Sequence, residues 1–416
     1  MSLKIWILNH VALKPNETGI TRHYDLAKEM VKEGHEVTIF ASSFLAYLFK
    51  WRNPKRKNYR ENVNGVIYEW VWTLPYRGNG VRRLLNMISY FFTALYRGMR
   101  LKEKPDVVVG SSVHLFACLA GYFLSKWKKA TYIVEIRDLW PRTLIDFGAM
   151  SEWHPVAIMF GLIERFVYKK SERIIVTLPG AHRYITSLGI PREKIYYIPN
   201  GIDLNRVNEL KNASPLEKEI INIRNKHKKI AMYVGAHGMA NALFTIVRSA
   251  KFVNPEEIAY VFIGEGPEKP NLMKEAEPFS NIYFFDGIPK SGVLPTLALA
   301  DVLLVSMLNT SLYKYGISLN KLNDYLLAGK PILFAGNVYN NIVEEAGAGL
   351  TVEPENPEAF ARGLMKLANL SEEEKLAIKQ SSYRYLLENH DMKKLARKFL
   401  DVCEGKETML KERGKQ

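Results

Sequence analysis

A chain of 416 residues, 47% of them hydrophobic, exceeds a single core and suits two α/β domains of about 150–200 residues each. The formal net charge is +15, and the two cysteines, Cys118 and Cys403, lie too far apart for a zinc or disulfide framework, which points to a reducing cytoplasm. No run of about 18 uncharged apolar residues occurs, which excludes a membrane-spanning helix, and Met1–Leu8 runs too directly into a strand pattern for a signal peptide.

In chain order, Ile5–Leu8 reads as a buried strand, followed by the glycine loop Asn16–Tyr24 and a helix pattern over His23–Glu33. The loop lacks the GxGxxG spacing of a dinucleotide site. Thr18, Gly19 and His23 open either an ordinary turn or a helix start whose free N–H groups face an anion. Glu36–Phe40 is the next strand.

Residues 50–104 hold 13 Lys and Arg against 3 Asp and Glu, and residues 1–200 hold 30 against 16, whereas residues 201–416 hold 28 against 27. A basic surplus confined to one segment suggests a surface facing polyanions: anionic lipid, diphosphate groups or nucleic acid. Within it, Val81, Leu84, Leu85, Ile88, Phe91, Phe92 and Leu95 fall on one helical stripe flanked by Arg82, Arg83, Arg97 and Arg100. That is the pattern of a helix lying in a membrane interface, and equally of one packed on a core.

Val107–Gly110, Thr131–Glu135 and Ile174–Thr177 continue the strands, with Leu115–Lys126 a helix between them. Glu135, Arg137 and Asp138 crowd the exit of an apolar strand, as a reactive group or as a structural ion pair with Trp140 beneath it. A turn at Pro199–Asp203 and a polar stretch to Lys229 form a linker.

The rhythm then restarts with Ile230–Val234, Tyr260–Ile263, Ile282–Phe285, Val302–Val305 and Pro331–Phe334 as strands, and Leu243–Phe252, Lys321–Ala328 and Pro357–Leu367 as helices. Such alternation predicts α/β architecture, two doubly wound parallel sheets with ligands beyond the carboxyl ends of the strands. Gly235, His237 and Glu265 sit on two small glycine turns after strands. Gly316, Ile317, Ser318, Asn320 and Lys321 form a glycine loop entering a helix, which suits phosphate, and Asp324 one turn on suits ribose hydroxyls. The competing reading is an amphipathic helix capped by Ser318. Ser381–Glu404 reads as one long terminal helix.

These motifs resemble glycosyltransferase family 4, of the GT-B fold, over nearly the whole chain. TGITRHYDLAKEMVKEGHEVTIF is similar to the family's opening loop, helix and second strand, IPNGID to its interdomain signature, and IGEGPE, DGIP and ALADVLLVS to its donor domain. RGNGVRRLLNMISYFF, EIRDLWP and YGISLNKLNDYLLAGKPI resemble a bacterial branch that builds O-antigen and capsule and includes N-acetyl-L-fucosamine transferases.

The resemblance implies two Rossmann-like domains facing across a cleft. An acceptor domain spans 1–200, with the terminal helix 380–416 packing back on it, and a donor domain spans 201–379. It also implies retaining transfer from a nucleotide sugar, UDP-linked, to a lipid-diphosphate-linked acceptor at the cytoplasmic face of an anionic membrane. No metal and no other cofactor is expected, because no Asp-x-Asp motif ends a strand. Gly235, His237, Glu265, Ile288, Gly316, Ile317, Ser318, Asn320, Lys321 and Asp324 are the donor-binding candidates.

The family's E-x7-E pair falls here on Gly316 and Asp324, and its Arg and Lys after YVG fall near Ala236 and Asn241, which leaves Lys321 to meet the diphosphate. The family's first-domain histidine falls on Arg137, so catalysis passes to Arg137 or Asp138, with Glu135 a further candidate. An epimerase of the same fold would need no lipid-facing helix. A nucleic-acid-binding protein would use the basic segment, but no recognition motif supports one, so no nucleic-acid partner is expected.

Overall fold

The computed structural model describes residues 2–406 except Thr18, 46–48, Pro54, Arg56, Asn79 and Val113; the Thr18 assignment and the end of the 380–416 segment therefore fall outside the described residues. The chain divides into two compact units: Gly19–Asn200 and the helix from Met392 belong to the first, with the first strand, and Gly201–Asp391 to the second.

The first unit begins β1 (Lys4–Leu8), α1 (Arg22–Lys32), β2 (Glu36–Ser42), β3 (Phe44–Leu45), β4 (Lys50–Trp51), β5 (Tyr59–Val63) and β6 (Val66–Val71). It continues α2 (Val81–Arg100), β7 (Val107–Ser112), α3 (Leu115–Lys128), β8 (Thr131–Ile136), α4 (Arg142–Asp146), α5 (Pro155–Lys170), β9 (Arg173–Val176), α6 (Ala181–Ser187) and β10 (Ile195–Tyr197). Its main sheet runs β10-β9-β8-β7-β1-β2-β6-β5 and is parallel except for β5. The winding reverses between β1 and β7, the position where open α/β sheets open a crevice at their carboxyl ends.

The second unit holds α7 (Glu217–Arg224), β11 (Lys229–Val234), α8 (Leu243–Ser249), β12 (Ile258–Ile263), α9 (Lys269–Ala276), β13 (Ile282–Phe285), α10 (Lys290–Ala298) and β14 (Val302–Ser306). After these come α11 (Asn320–Ala328), β15 (Ile332–Ala335), α12 (Ile342–Glu345), β16 (Gly349–Val352), α13 (Pro357–Ala368) and α14 (Glu372–Asn389); the closing α15 (Met392–Glu404) belongs to the first unit. The sheet, β13-β12-β11-β14-β15-β16, is wholly parallel and reverses between β11 and β14. Each sheet is covered by helices whose apolar faces bury its Val, Ile and Phe side chains, as parallel sheets require.

Two expectations need correction. The terminal segment is two helices, because the first ends at His390, whose carbonyl accepts the Ile202 N–H, and Asp391 forms a β-bridge with Ile202. The return to the first unit thus starts at Met392 rather than near 380. In α2 the face on the core is Met87, Tyr90, Ala94 and Gly98, one step round from the expected stripe. Val81 and Phe92 of that stripe stay 72% and 62% exposed. Phe91 and Leu95 of the stripe pack against the core, so the apolar surface left over on the helix is Val81, Leu85 and Phe92. Among the described residues no helix is long and apolar enough to cross a membrane.

Candidate functional site

At the carboxyl end of β8, Glu135 is completely buried and accepts three hydrogen bonds: from Arg22 Nε at 2.9 Å, His23 Nε2 at 2.6 Å and Ser111 Oγ at 2.6 Å. Asn9 Nδ2 donates to His23 Nδ1 at 2.7 Å, which leaves the ring proton on Nε2, facing the carboxylate. Arg22 also donates to the carbonyls of Ile198, at 2.9 Å, and Pro199. Burial alone would raise the Glu135 carboxyl, but His23 and Arg22 outweigh it and hold the carboxyl well below the usual range. Burial lowers the His23 imidazole against the pull of Glu135.

This network ties α1, β7, β8 and the segment at 198–200 together. It engages both carboxylate oxygens of Glu135, the further catalytic candidate, and both ring nitrogens of His23 within the fold. Arg137 and Asp138 follow at the strand exit. The Arg137 backbone N–H donates to Ser112 Oγ at 3.0 Å, Asp138 is exposed, and Trp140 packs edge-on against Phe160. Gly19 has φ +136°, and a Cβ there would stand 2.5 Å from Leu13 Cδ1, so the opening loop requires glycine.

Sequence reasoning missed the polar group at the winding reversal of the first sheet. His10, after β1, and His114, after β7, share a 2.8 Å ring-to-ring hydrogen bond, and His10 packs on Tyr90 of α2. Burial drives both imidazoles down, His10 to about 3, so both are neutral. Two isolated histidines some hundred residues apart offer no spacing signal.

At the corresponding reversal in the second unit, β11 runs out into Gly235. Lys321 Nζ, from the first turn of α11, donates to Tyr233 Oη and to Asn241 Oδ1, each at 2.7 Å, and lies 4.4 Å from the centre of the Tyr233 ring. A Cβ at Gly235 would crowd Nζ at 3.2 Å. The next turn interlocks with this one: His237 N–H donates to Glu265 O at 2.8 Å, and Glu268 N–H to His237 O at 3.0 Å. Gly264 has no room for a side chain, since a Cβ would stand 1.9 Å from Gly235 O. His237 is buried among Tyr233, Phe262 and Phe284, with neither ring nitrogen hydrogen-bonded, and burial pushes it down to about 4. Glu265 is exposed and accepts from Gly287 N–H at 3.3 Å, beside buried Ile288.

The glycine loop departs from the donor-site expectation at Ile317 and Asp324, and from the competing capped-helix reading at Ser318. Gly316 does take the left-handed region, at φ +98°. Ile317, however, has its N–H and its carbonyl both engaged by the Asn340 carboxamide, at 2.7 and 3.0 Å, so it offers no N–H to a phosphate. Ser318 does not cap α11, whose first residue is Asn320 and whose cap position, Leu319, has no side-chain cap bond. Asp324, expected to be open for ribose, is met by Arg206 at 2.7 Å from the 3-10 segment Leu204–Lys211. Gly235 and Lys321 thus come together, with Asn320 beside Lys321 in the first turn of α11 and His237 and Glu265 on the neighbouring turn.

Two family models match the chain: a glycosyl transferase 4-like domain over residues 18–201 and a group 1 glycosyl transferase domain over 228–369. The chain is 21% identical to the putative colanic acid biosynthesis glycosyl transferase WcaI of Escherichia coli, over 97% of this chain and 100% of that one. It is 24% identical to the probable glycosyltransferase WbjE of Pseudomonas aeruginosa, over 71% of this chain and 74% of that one. Among solved structures it is similar to sucrose-phosphate synthase from Thermosynechococcus elongatus, with TM-score 0.74, 14% identity, and 97% and 98% of the two chains covered. It is also similar to Anabaena HepE in complex with UDP and glucose, with TM-score 0.69, 11% identity, and 97% and 100% covered. With two parallel doubly wound units and both domain models matched in order, the chain belongs to glycosyltransferase family 4, of the GT-B fold.

Proposed function

We propose that this glycosyltransferase moves a sugar, with retention, from a UDP-linked donor to a lipid-diphosphate-linked acceptor in bacterial surface-polysaccharide synthesis. The observation that carries the donor half is the lysine of α11 standing under Gly235 at the winding reversal of the second sheet. Diphosphate charge develops as the glycosidic bond breaks, and Lys321, protonated in the presence of the phosphate, meets it there. Uridine is favoured by likeness to HepE, itself solved with UDP and with UDP-glucose. With Glu135 engaged by three donors, the reading takes direct attack by the acceptor hydroxyl on the face the diphosphate leaves, with Arg137 and Asp138 near the reacting groups.

The acceptor half rests on the first unit's surface. Phe92 on α2, Trp127 on α3 and Leu162 on α5 are 62%, 61% and 66% exposed, α3 packing against both α2 and α5, in a unit carrying the basic surplus. An apolar face edged by Arg and Lys suits the anionic inner face of a cytoplasmic membrane. Thermal-shift titration with UDP, ADP and GDP tests the donor: UDP is expected to raise the melting temperature most, and no shift with any of them contradicts the reading.

A further inference from the structure

The surroundings of Lys321 carry one step more, which rests on the donor reading above. Both acceptors that hold Nζ are fixed as acceptors. Tyr233 gives its own proton to Ala236 O at 2.7 Å, and Asn241 gives Nδ2–H to the same carbonyl at 2.9 Å. Two positions around Nζ are therefore N–H bonds in either protonation state. An ammonium has three N–H donors, whereas a neutral amine has two and a lone pair. The third position is a donor in the charged form and a lone pair in the neutral form. A phosphate oxygen docks on the former and is repelled by the latter.

Among the described residues no anionic neighbour holds the lysine protonated. From β11, Tyr233 is pushed up by burial and stays a neutral phenol. From the 235–241 loop, His237 is neutral, lowered by burial and by Lys269. On α11 itself, burial raises Tyr325, and Asp324 is engaged by Arg206. Glu265, across the next turn, is paired with Lys269 at 3.1 Å. Among the described residues no carboxylate lies within ion-pair distance of Lys321. Burial brings it from the ordinary lysine value to about 7, against the Tyr233 ring face and the two acceptors, which favour the ammonium.

We propose that this site captures its nucleoside diphosphate together with a proton: on the alkaline side of neutrality the empty site holds Lys321 mainly as the free amine, which gains a proton from solvent as a phosphate oxygen docks at the position its lone pair occupied. Atoms and charge balance, because the proton leaves buffer acid and ends on Nζ. Binding raises the lysine's affinity for the proton, so uptake is largest above about pH 7 and falls away on the acid side.

The test is calorimetric titration of the full chain with UDP near pH 8, where the nucleotide's terminal phosphate is already ionised, in HEPES and in Tris. The difference in heat between these buffers counts protons. ADP and GDP are titrated alongside. Wild type is expected to take up about one proton per bound nucleotide. Lys321→Arg, permanently charged, is expected to bind with none. Lys321→Met is expected to bind roughly tenfold or more weakly, also with none. Equal heats for wild type in both buffers, or equal uptake by wild type and Lys321→Arg, overturn the proposal and leave the donor reading standing. If none of the three nucleotides binds, the donor reading falls and takes the proposal with it.

Discussion

Arg206 donates to Asp324 Oδ1 at 2.7 Å and at the same time grips Glu209, so one guanidinium ties a 3-10 segment to α11. Burial pushes the Asp324 carboxyl up, and Arg206 opposes that. If Asp324 serves the donor's ribose, Arg206 is the residue that keeps it ionised and aimed. Arg206→Met is expected to raise donor KM more than it lowers kcat, with the KM effect growing as pH falls and the carboxyl protonates. Removing one partner of this half-buried pair also costs about 1–3 kcal/mol of stability. A kcat loss with unchanged KM contradicts this role.

Glu135 and Asp138, three residues apart, are expected to behave oppositely. Glu135 has complete burial and three donors, so Glu135→Gln leaves Arg22 buried without its counter-charge and costs about 3–5 kcal/mol. Exposed Asp138 has no such role, and Asp138→Asn is expected to lower turnover while the melting temperature barely moves. Denaturant melts and initial rates of the two variants decide it. A large stability loss in Asp138→Asn returns that residue to the structural reading.

Glu164 of α5 gives a pH signature. Its carboxylate, almost fully buried, accepts from Tyr168 at 3.1 Å and Tyr184 of α6 at 3.0 Å, and burial still raises it from 4.5 to about 7. The folded value lies above the unfolded one, so the protonated form is favoured in the fold. Below about pH 4.5 the group is neutral in both states, and stability then falls as pH climbs towards 7, by up to about 3 kcal/mol. Glu164→Gln is expected to remove this slope and to be more stable than wild type near pH 8. An unchanged pH–stability curve contradicts the assignment.

The spare apolar face of α2 is expected to hold the first unit on anionic vesicles. Phe92→Ser should weaken co-sedimentation at all salt concentrations, while Arg82→Glu should weaken it mainly at low salt, where charge is unscreened. Neither substitution touches the core face of Met87, Tyr90 and Ala94, so melting should be unaffected. Wild type ignoring anionic vesicles, or both variants binding as well as it does, rejects the membrane surface.

How much of this was legible in the sequence depends on the range of the interaction. Apolar runs such as Val107–Gly110 and Tyr260–Ile263 announce buried parallel strands, and both sheets follow from them. The β5–β6 hairpin was missed although Asn64-Gly65, both at positive φ, is a strong turn signal. Glu69 breaks its apolar pattern, and that buried charge makes sense only once Arg60 and Arg97 are seen against it. The crowd of charges at Glu135 was visible, but not that Arg22, 113 positions away, neutralises it. Lys321 was found as a cation near a glycine loop. Its seat under Gly235 and the closure of Ile317 by Asn340 depend on neighbours that no local pattern encodes.

The most direct measurement is transfer itself. Purified chain is incubated with radiolabelled UDP-sugars, alongside ADP- and GDP-sugars, and membrane lipid extract, and label is counted in the organic phase. The account predicts that label from one UDP-sugar enters the lipid fraction with wild type, and that Lys321→Met reduces this at least about tenfold. Label entering lipid undiminished with Lys321→Met, or no transfer from any UDP-sugar by a chain that remains folded, contradicts it.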